Sequence, residues 1–339
     1  MQVTEILEKL CTLNLIASNE ASLFSEACSV FGDKAKIECD KIGNIYIKIG
    51  SDNAKNKILI DAHCDQIGFV VTDFYDNGFL KVAAVGGIDA RAAFASRVLV
   101  FGEETLEGVF STVPPHLQKG SDSDKFPAID ELAIDIGLSK NEAEALISRG
   151  DFVLIKSEFS RLGENKVCSA ALDNKAGVAA LFALGLKLTQ AKLKNTCVTL
   201  LLSVQEELGL RGAFAAEFDA DEVIVIDTSF GSYPGAPSEK TGKLVGGVML
   251  GHSPILSRPL TEKIEKIAVE KDILIQHEIL SESTGTNADR LTLKAGGVDC
   301  ALISLPILNM HSASEILDLS DLNSLIDLLE AYVREADEK

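Results

Sequence analysis

The chain has no tryptophan and only four tyrosines among its 339 residues, so it lacks the aromatic platforms that carbohydrate sites usually present. It has no CxxC pair. Its seven cysteines (Cys11, Cys28, Cys39, Cys64, Cys168, Cys197, Cys300) are odd in number and scattered. That argues against a disulfide framework or a thiolate zinc site, and for small, mostly buried, reduced thiols. Positive charge is scarce: 32 Lys and Arg stand against 51 Asp and Glu, a formal charge of −19, so no basic face is expected for nucleic-acid phosphates. No apolar stretch can span a bilayer; the longest free of charge is near residues 176–186. MQVTEILEKL has acidic residues where a secretory signal has basic residues and an apolar core, and a cytoplasmic location is expected. Gly246-Gly247 and Gly296-Gly297 lack the strand-glycine-helix fingerprint of a dinucleotide site and read as turns. No internal repeat is evident.

What is present is globular: 46% hydrophobic and 24% charged residues, in a chain long enough for two domains. Residues 4–16 and 19–31 read as amphipathic helices, the second capped by Asn19 and stopped by Gly32. Residues 37–39 and 44–49 flank a turn at Gly43, and KILIDA at 57–62 is an apolar strand ending at His63. From 69 to 160 the texture changes to short β pieces (69–72, 79–85, 97–101, 106–110), a long loop over 113–128, and a helix from Ser139, with Glu142 at capping-box spacing, to Gly150. The α/β texture then resumes: a helix at 175–187, an apolar strand from Val198, VIVID at 223–227, helices at 263–271 and 287–295, a strand at 298–305, and a last helix from Leu319 to about Glu335. The pattern predicts an α/β fold: a three-layer catalytic domain with a mixed, largely parallel sheet over residues 1–66 and 166–339, carrying an inserted small β-barrel-like domain over residues 67–165.

Chemistry-bearing groups gather at the strand ends. The run from Val198 stops at Gln205, Glu206 and Glu207. In open α/β sheets ligands sit outside the carboxyl ends of the strands, although a Glu pair before Gly reads equally well as a solvated loop. His63 and Asp65 lie two apart, facing one side of an extended backbone while Cys64 faces into the packing. Asp227 ends another strand, His311 follows the strand at 298–305, and Asp173 precedes a helix. Imidazole plus carboxylate without thiolate is the donor set of a catalytic zinc, cobalt or manganese pair. Such a pair needs a bridging carboxylate, roughly two further ligands per metal and a separate base. His116, His252 and His277 have no partners at metal spacing and read as structural or surface residues.

The ordered segments DAHCDQIGFVV, SAALDNKAG, SVQEELGLRGA, VIVIDTS and LNMHSASEI, with EGVFSTVPPHL in the insertion, resemble the tetrahedral (TET) metallo-aminopeptidase family. The resemblance implies that Asp173 bridges two divalent metal ions, zinc or cobalt with manganese also open. His63 and Asp227 then complete one site, and Glu207 and His311 the other. Glu206 is by that likeness the general base and Asp65 orients His63. It further implies peptide substrates and a homo-oligomer, a hollow tetrahedral dodecamer that excludes folded proteins, to which the loop at 117–128 is expected to lend contacts. Relatives commonly carry DDR where this chain has Asp173-Asn174-Lys175, and GTDA where it has Gly285-Thr286-Asn287-Ala288. Both departures spare the implied ligands and bear on substrate contacts and ion pairing. The rival readings are a cellulase-like glycoside hydrolase using two carboxylates and a non-catalytic assembly protein that keeps the fold.

Overall fold

The computed structural model describes residues 2–16, 20–111, 113–114 and 127–339. Asn19, His116 and all but the end of the 117–128 loop lie outside those residues. The chain opens with α1 (Val3–Cys11), α2 (Ala21–Phe31), β1 (Lys36–Cys39), β2 (Ile45–Ile49) and β3 (Asn56–His63). Next come β4 (Gly68–Phe74), β5 (Leu80–Val85), α3 (Ala90–Ala93), β6 (Arg97–Phe101), β7 (Thr105–Ser111), β8 (Ala133–Asp135), α4 (Lys140–Leu146) and β9 (Phe152–Ile155). The remainder runs β10 (Ser160–Leu162), β11 (Lys166–Ser169), α5 (Leu172–Ala191), β12 (Thr196–Ser203), α6 (Arg211–Ala215), β13 (Glu222–Phe230), β14 (Val248–His252), α7 (Arg258–Glu270), β15 (Ile275–Ile279), α8 (Ala288–Leu291), β16 (Asp299–Ile307), β17 (Glu315–Asp318) and α9 (Leu319–Glu338).

An eight-stranded sheet in the order β1-β2-β12-β3-β13-β16-β14-β15 forms the centre. Strands β12, β3, β13 and β16 are mutually parallel, while β2 and β14 join them antiparallel. The parallel strands are almost unbroken apolar runs because both faces are covered. Ile58, Ile60, Leu200, Leu202, Ile224 and Ile226 pack in one core with α1, α5 and α9. The intervening Leu59, Leu201, Val223 and Val225 pack in another with Ala213, Ala288 and Leu291. Alternation along a strand thus assigns residues to two opposite cores, which makes three layers. Cys64 is fully buried in the first of these cores.

Strands β4-β5-β8-β7-β6-β9 close a barrel with its own core, in which the Phe69 and Phe110 rings meet edge to face at 4.8 Å. A small third sheet, β10-β11-β17, joins the segment that follows the barrel to the strand before α9, pairing β11 with β17 antiparallel. The reading of 287–295 as one helix shortens to α8 plus a single tight turn at Lys294–Gly296. Gly296 and Gly297 there both take positive φ, which ends the helix. α7 starts earlier than its periodicity suggested, at Arg258, with Pro259 in its first turn. Among the described residues no helix is long and apolar enough to cross a membrane.

Candidate metal centre

Parallel strands deliver their carboxyl ends to one edge, and register places Ser203 of β12 beside His63 of β3 and Asp227 of β13 beside Ser304 of β16. His63 is buried there. Its Nδ1 faces the backbone oxygen of Asp65 at 3.2 Å. A ring N–H donated to that carbonyl turns Nε2 towards the carboxylates, where it can offer its lone pair once its own proton is displaced. Nε2 lies 3.2 Å from Asp173 Oδ1 and 3.5 Å from Asp227 Oδ1.

Asp173 enters from the start of α5. Its second oxygen, Oδ2, lies 3.3 Å from His311 Nε2, and that nitrogen is also 3.2 Å from Glu207 Oε1. The His311 Nδ1 meets the Gly87 carbonyl at 2.6 Å, so the segment after barrel strand β5 fixes this ring as Asp65 fixes the other. Glu206 and Glu207 sit in the turn between β12 and α6, where Gln205 takes φ +54. Their backbone N–H groups donate to Asp65 Oδ1 (2.9 Å) and Oδ2 (3.2 Å). The Asp65 carboxylate therefore holds the glutamate turn. It stays 3.7 Å from His63 Nδ1, which bonds instead to the backbone carbonyl of the same residue.

The charges are strongly interdependent. Burial opposes protonation of His63, but the charge of Glu206 and the bonds to Asp173 and Asp227 outweigh it and raise its pKa well above the usual imidazole value. Bonds to Asp173 and Glu207 push His311 up to about 11. Burial raises Glu206 to about 9, assisted by the charges of Asp227, Glu207 and Asp173 and opposed by His63. Burial also raises Asp227. For Asp173 burial pushes upward, yet the bonds to His311 and His63 hold it below the ordinary carboxylate range.

Donor atoms bonded to one cation at about 2.1 Å stand roughly 3.4 Å apart at tetrahedral angles, close to the 3.2, 3.3 and 3.5 Å separations around the two imidazoles. His63, Asp173 and Glu207 also offer atoms all within 4.8 Å of one another. The residues fit divalent cations.

The departures at positions 174, 175 and 287 are interior. Asn174 donates to the Ile226 carbonyl at 2.9 Å and accepts from the Gly177 N–H. Lys175 donates to the Leu13 carbonyl at 2.7 Å. Asn287 donates to Asp61 Oδ2 at 2.9 Å and to Ser203 Oγ at 2.8 Å, a polar layer beneath His63. Burial raises Asp61 to about 7. Sequence reasoning missed this layer, the Gly87 carbonyl and Glu315, whose buried carboxylate accepts from Asp173 and His311 backbone N–H groups. None carries a local pattern; each is set by partners far away in sequence. His252 and His277, on adjacent strands, meet at 2.9 Å, away from the centre.

A three-layer α/β core with histidines and carboxylates gathered at its strand ends is the architecture of a metal-dependent hydrolase. The chain belongs to the M42 glutamyl aminopeptidase family, whose pattern matches residues 43–328. It is similar to the lysyl aminopeptidase of Pyrococcus furiosus, with 29% identity over 307 residues covering 88% of this chain and 87% of that one. Among solved structures it is similar to aminopeptidase APDkam598 from the archaeon Desulfurococcus kamchatkensis, with 30% identity, coverage of 98% and 95%, and a TM-score of 0.90. It is also similar to the TET1 peptidase of Pyrococcus horikoshii, which can assemble into a tetrahedron or a large octahedral shell, with 33% identity, coverage of 98% and 99%, and a TM-score of 0.85. Family membership decides between peptide-bond and glycosidic chemistry: this chain is a metal-dependent aminopeptidase.

Proposed function

We propose that this aminopeptidase removes N-terminal residues from peptides with two divalent cations. His63, Asp173 and Asp227 would hold one, and Asp173, Glu207 and His311 the other. The observation that carries the reading is the orientation of Asp173, whose Oδ1 faces His63 and Oδ2 faces His311 at 3.2 and 3.3 Å, as a bridging carboxylate requires. Imidazole and carboxylate donors suit zinc, cobalt or manganese. When bound, such cations supply Lewis-acid polarisation of a carbonyl and acidify water.

The chain's own groups then divide the remaining work. Glu206 takes the proton of the attacking water at its carboxylate and returns it to the departing amine. It stands buried beside Asp227, Glu207 and Asp173, within the cluster that would hold the cations. Asp65 fixes the backbone of Glu206 and Glu207 through both oxygens, which sets where the base stands relative to the ligands. The Asp65 and Gly87 carbonyls keep both imidazoles in the tautomer that presents Nε2. Residues 67–165 act in this reading as an inserted domain that limits access and mediates assembly into a homo-oligomer of the tetrahedral kind. The likeness to the TET1 peptidase supports that assembly.

The bridging role of Asp173 is tested by counting ions. Asp173→Asn is expected to lose both cations and turnover together, as measured by elemental analysis of the dialysed protein and release of a chromogenic amine from aminoacyl substrates. A variant that kept one cation at wild-type affinity would contradict the bridge.

A further inference from the structure

Glu315 opens β17 and is 1% exposed, opposite Ser169 of β11. Its Oε2 accepts the backbone N–H of Asp173 at 3.0 Å, and its Oε1 accepts that of His311 at 2.7 Å. One carboxylate thus ties together the backbones of two residues from opposite ends of the catalytic domain. His311 needs the tie, since it takes φ +61, a left-handed conformation that a non-glycine residue keeps only where its surroundings over-determine it. The ring of the same residue is held separately by the Gly87 carbonyl.

We propose that Glu315 is a positioning residue for the metal centre, setting the spacing between Asp173 and His311 so that both address the same cation. The proposal rests on the reading that Asp173 and His311 are ligands. The glutamate turn has the same construction: Asp65 grips the N–H groups of Glu206 and Glu207 through its two oxygens, next to Gln205 at φ +54. Two buried carboxylates, each spanning a pair of backbone donors, thereby brace the two loops that carry Glu207 and His311 against positions of positive φ. The carboxylate suits the task because each of its oxygens accepts one of the two backbone N–H groups. A glutamine of the same shape would present one acceptor and one NH2, and the NH2 would face a backbone N–H that it cannot satisfy.

Glu315→Gln tests this. Zinc affinity, read by competition with a chelator, is expected to fall about 10- to 100-fold, as for the loss of other groups that orient metal ligands. At saturating zinc kcat is expected to drop while KM stays within about twofold, because the substrate-binding surface is untouched. A variant with zinc affinity and kcat within twofold of wild type would overturn the proposal. So would one that loses kcat and KM alike along with the melting transition of the zinc-free protein, since that is general loosening. Amide exchange in the unaltered enzyme gives a second test that no folding defect can spoil. The Asp173 and His311 amides are expected to exchange as slowly as those of β3 and β13, and exchange at the rate of an exposed loop contradicts the clamp. If the wild-type chain itself bound no zinc at Asp173, the metal-centre reading would fail and not the clamp alone.

Discussion

Glu206 and Glu207 are identical side chains one peptide apart, and the turn after β12 sends them to different environments. Glu207 reaches His311 at 3.2 Å, while Glu206 has its charge felt by His63, Asp227 and Asp173. The pair therefore separates by substitution: Glu206→Gln is expected to keep both cations and lose about 10²- to 10⁴-fold in kcat, the usual share of a general base. Wild-type turnover in that variant would contradict the mechanism. The same charges give a pH dependence with a definite sign. His311 is raised to about 11 and His63 well above the imidazole range, so at neutral pH protons occupy positions that the cations claim. Cation affinity must then rise with pH through the neutral range and level off as those groups lose their protons. Loading the site near pH 7.5 is expected to release about two protons per chain, one from each imidazole, because ligands bind metal deprotonated. Calorimetry in buffers of differing ionisation enthalpy measures the number, and no release at all would contradict the assignment of His63 and His311.

At the scale of elements, the edge of the barrel closes against Glu207, one of the proposed ligands. Gly86, just past β5, has φ +83, and a Cβ there would meet Ile67 Cγ2 at 2.7 Å and the Glu207 side chain at 3.3 Å. Gly86→Ala is expected to displace Glu207 and weaken cation binding by about tenfold or more, read by the same chelator competition; unchanged affinity would show that the barrel edge merely abuts the site. The sequence made some of this legible and hid the rest for physical reasons. β3, β12 and β13 were readable because burial on both faces leaves apolar runs that end abruptly in His63, the Glu206-Glu207 pair and Asp227. β8, β10, β14, β15 and β17 were not, being three to five residues long with little alternation. The groups that orient the ligands were equally silent. Gly87 meets His311 across 224 positions through a backbone oxygen, which no side-chain pattern reports. Asn287 reaches Asp61 across 226. The two-residue spacing of His63 and Asp65 pointed to an orienting carboxylate; Asp65 faces the ring with its carbonyl at 3.2 Å and its carboxylate at 3.7 Å, and the carboxylate also accepts from the glutamate turn.

Across the whole molecule, barrel and catalytic core keep separate hydrophobic clusters, yet a cavity between them is lined by Ile67, Ile88 and Ile155 on one side and by Asp173, Glu207 and His311 on the other. The formal charge of −19 disfavours polyanionic partners and suits a protein that must draw in divalent cations. The central claim is that turnover belongs to cations held by this chain's histidines and carboxylates. The most direct measurement follows release of the N-terminal residue from a short peptide while the same sample is stripped with chelator and reloaded. The account predicts two ions per chain in the active enzyme, loss of turnover on stripping, and recovery with zinc, cobalt or manganese; undiminished turnover in fully stripped protein would contradict it.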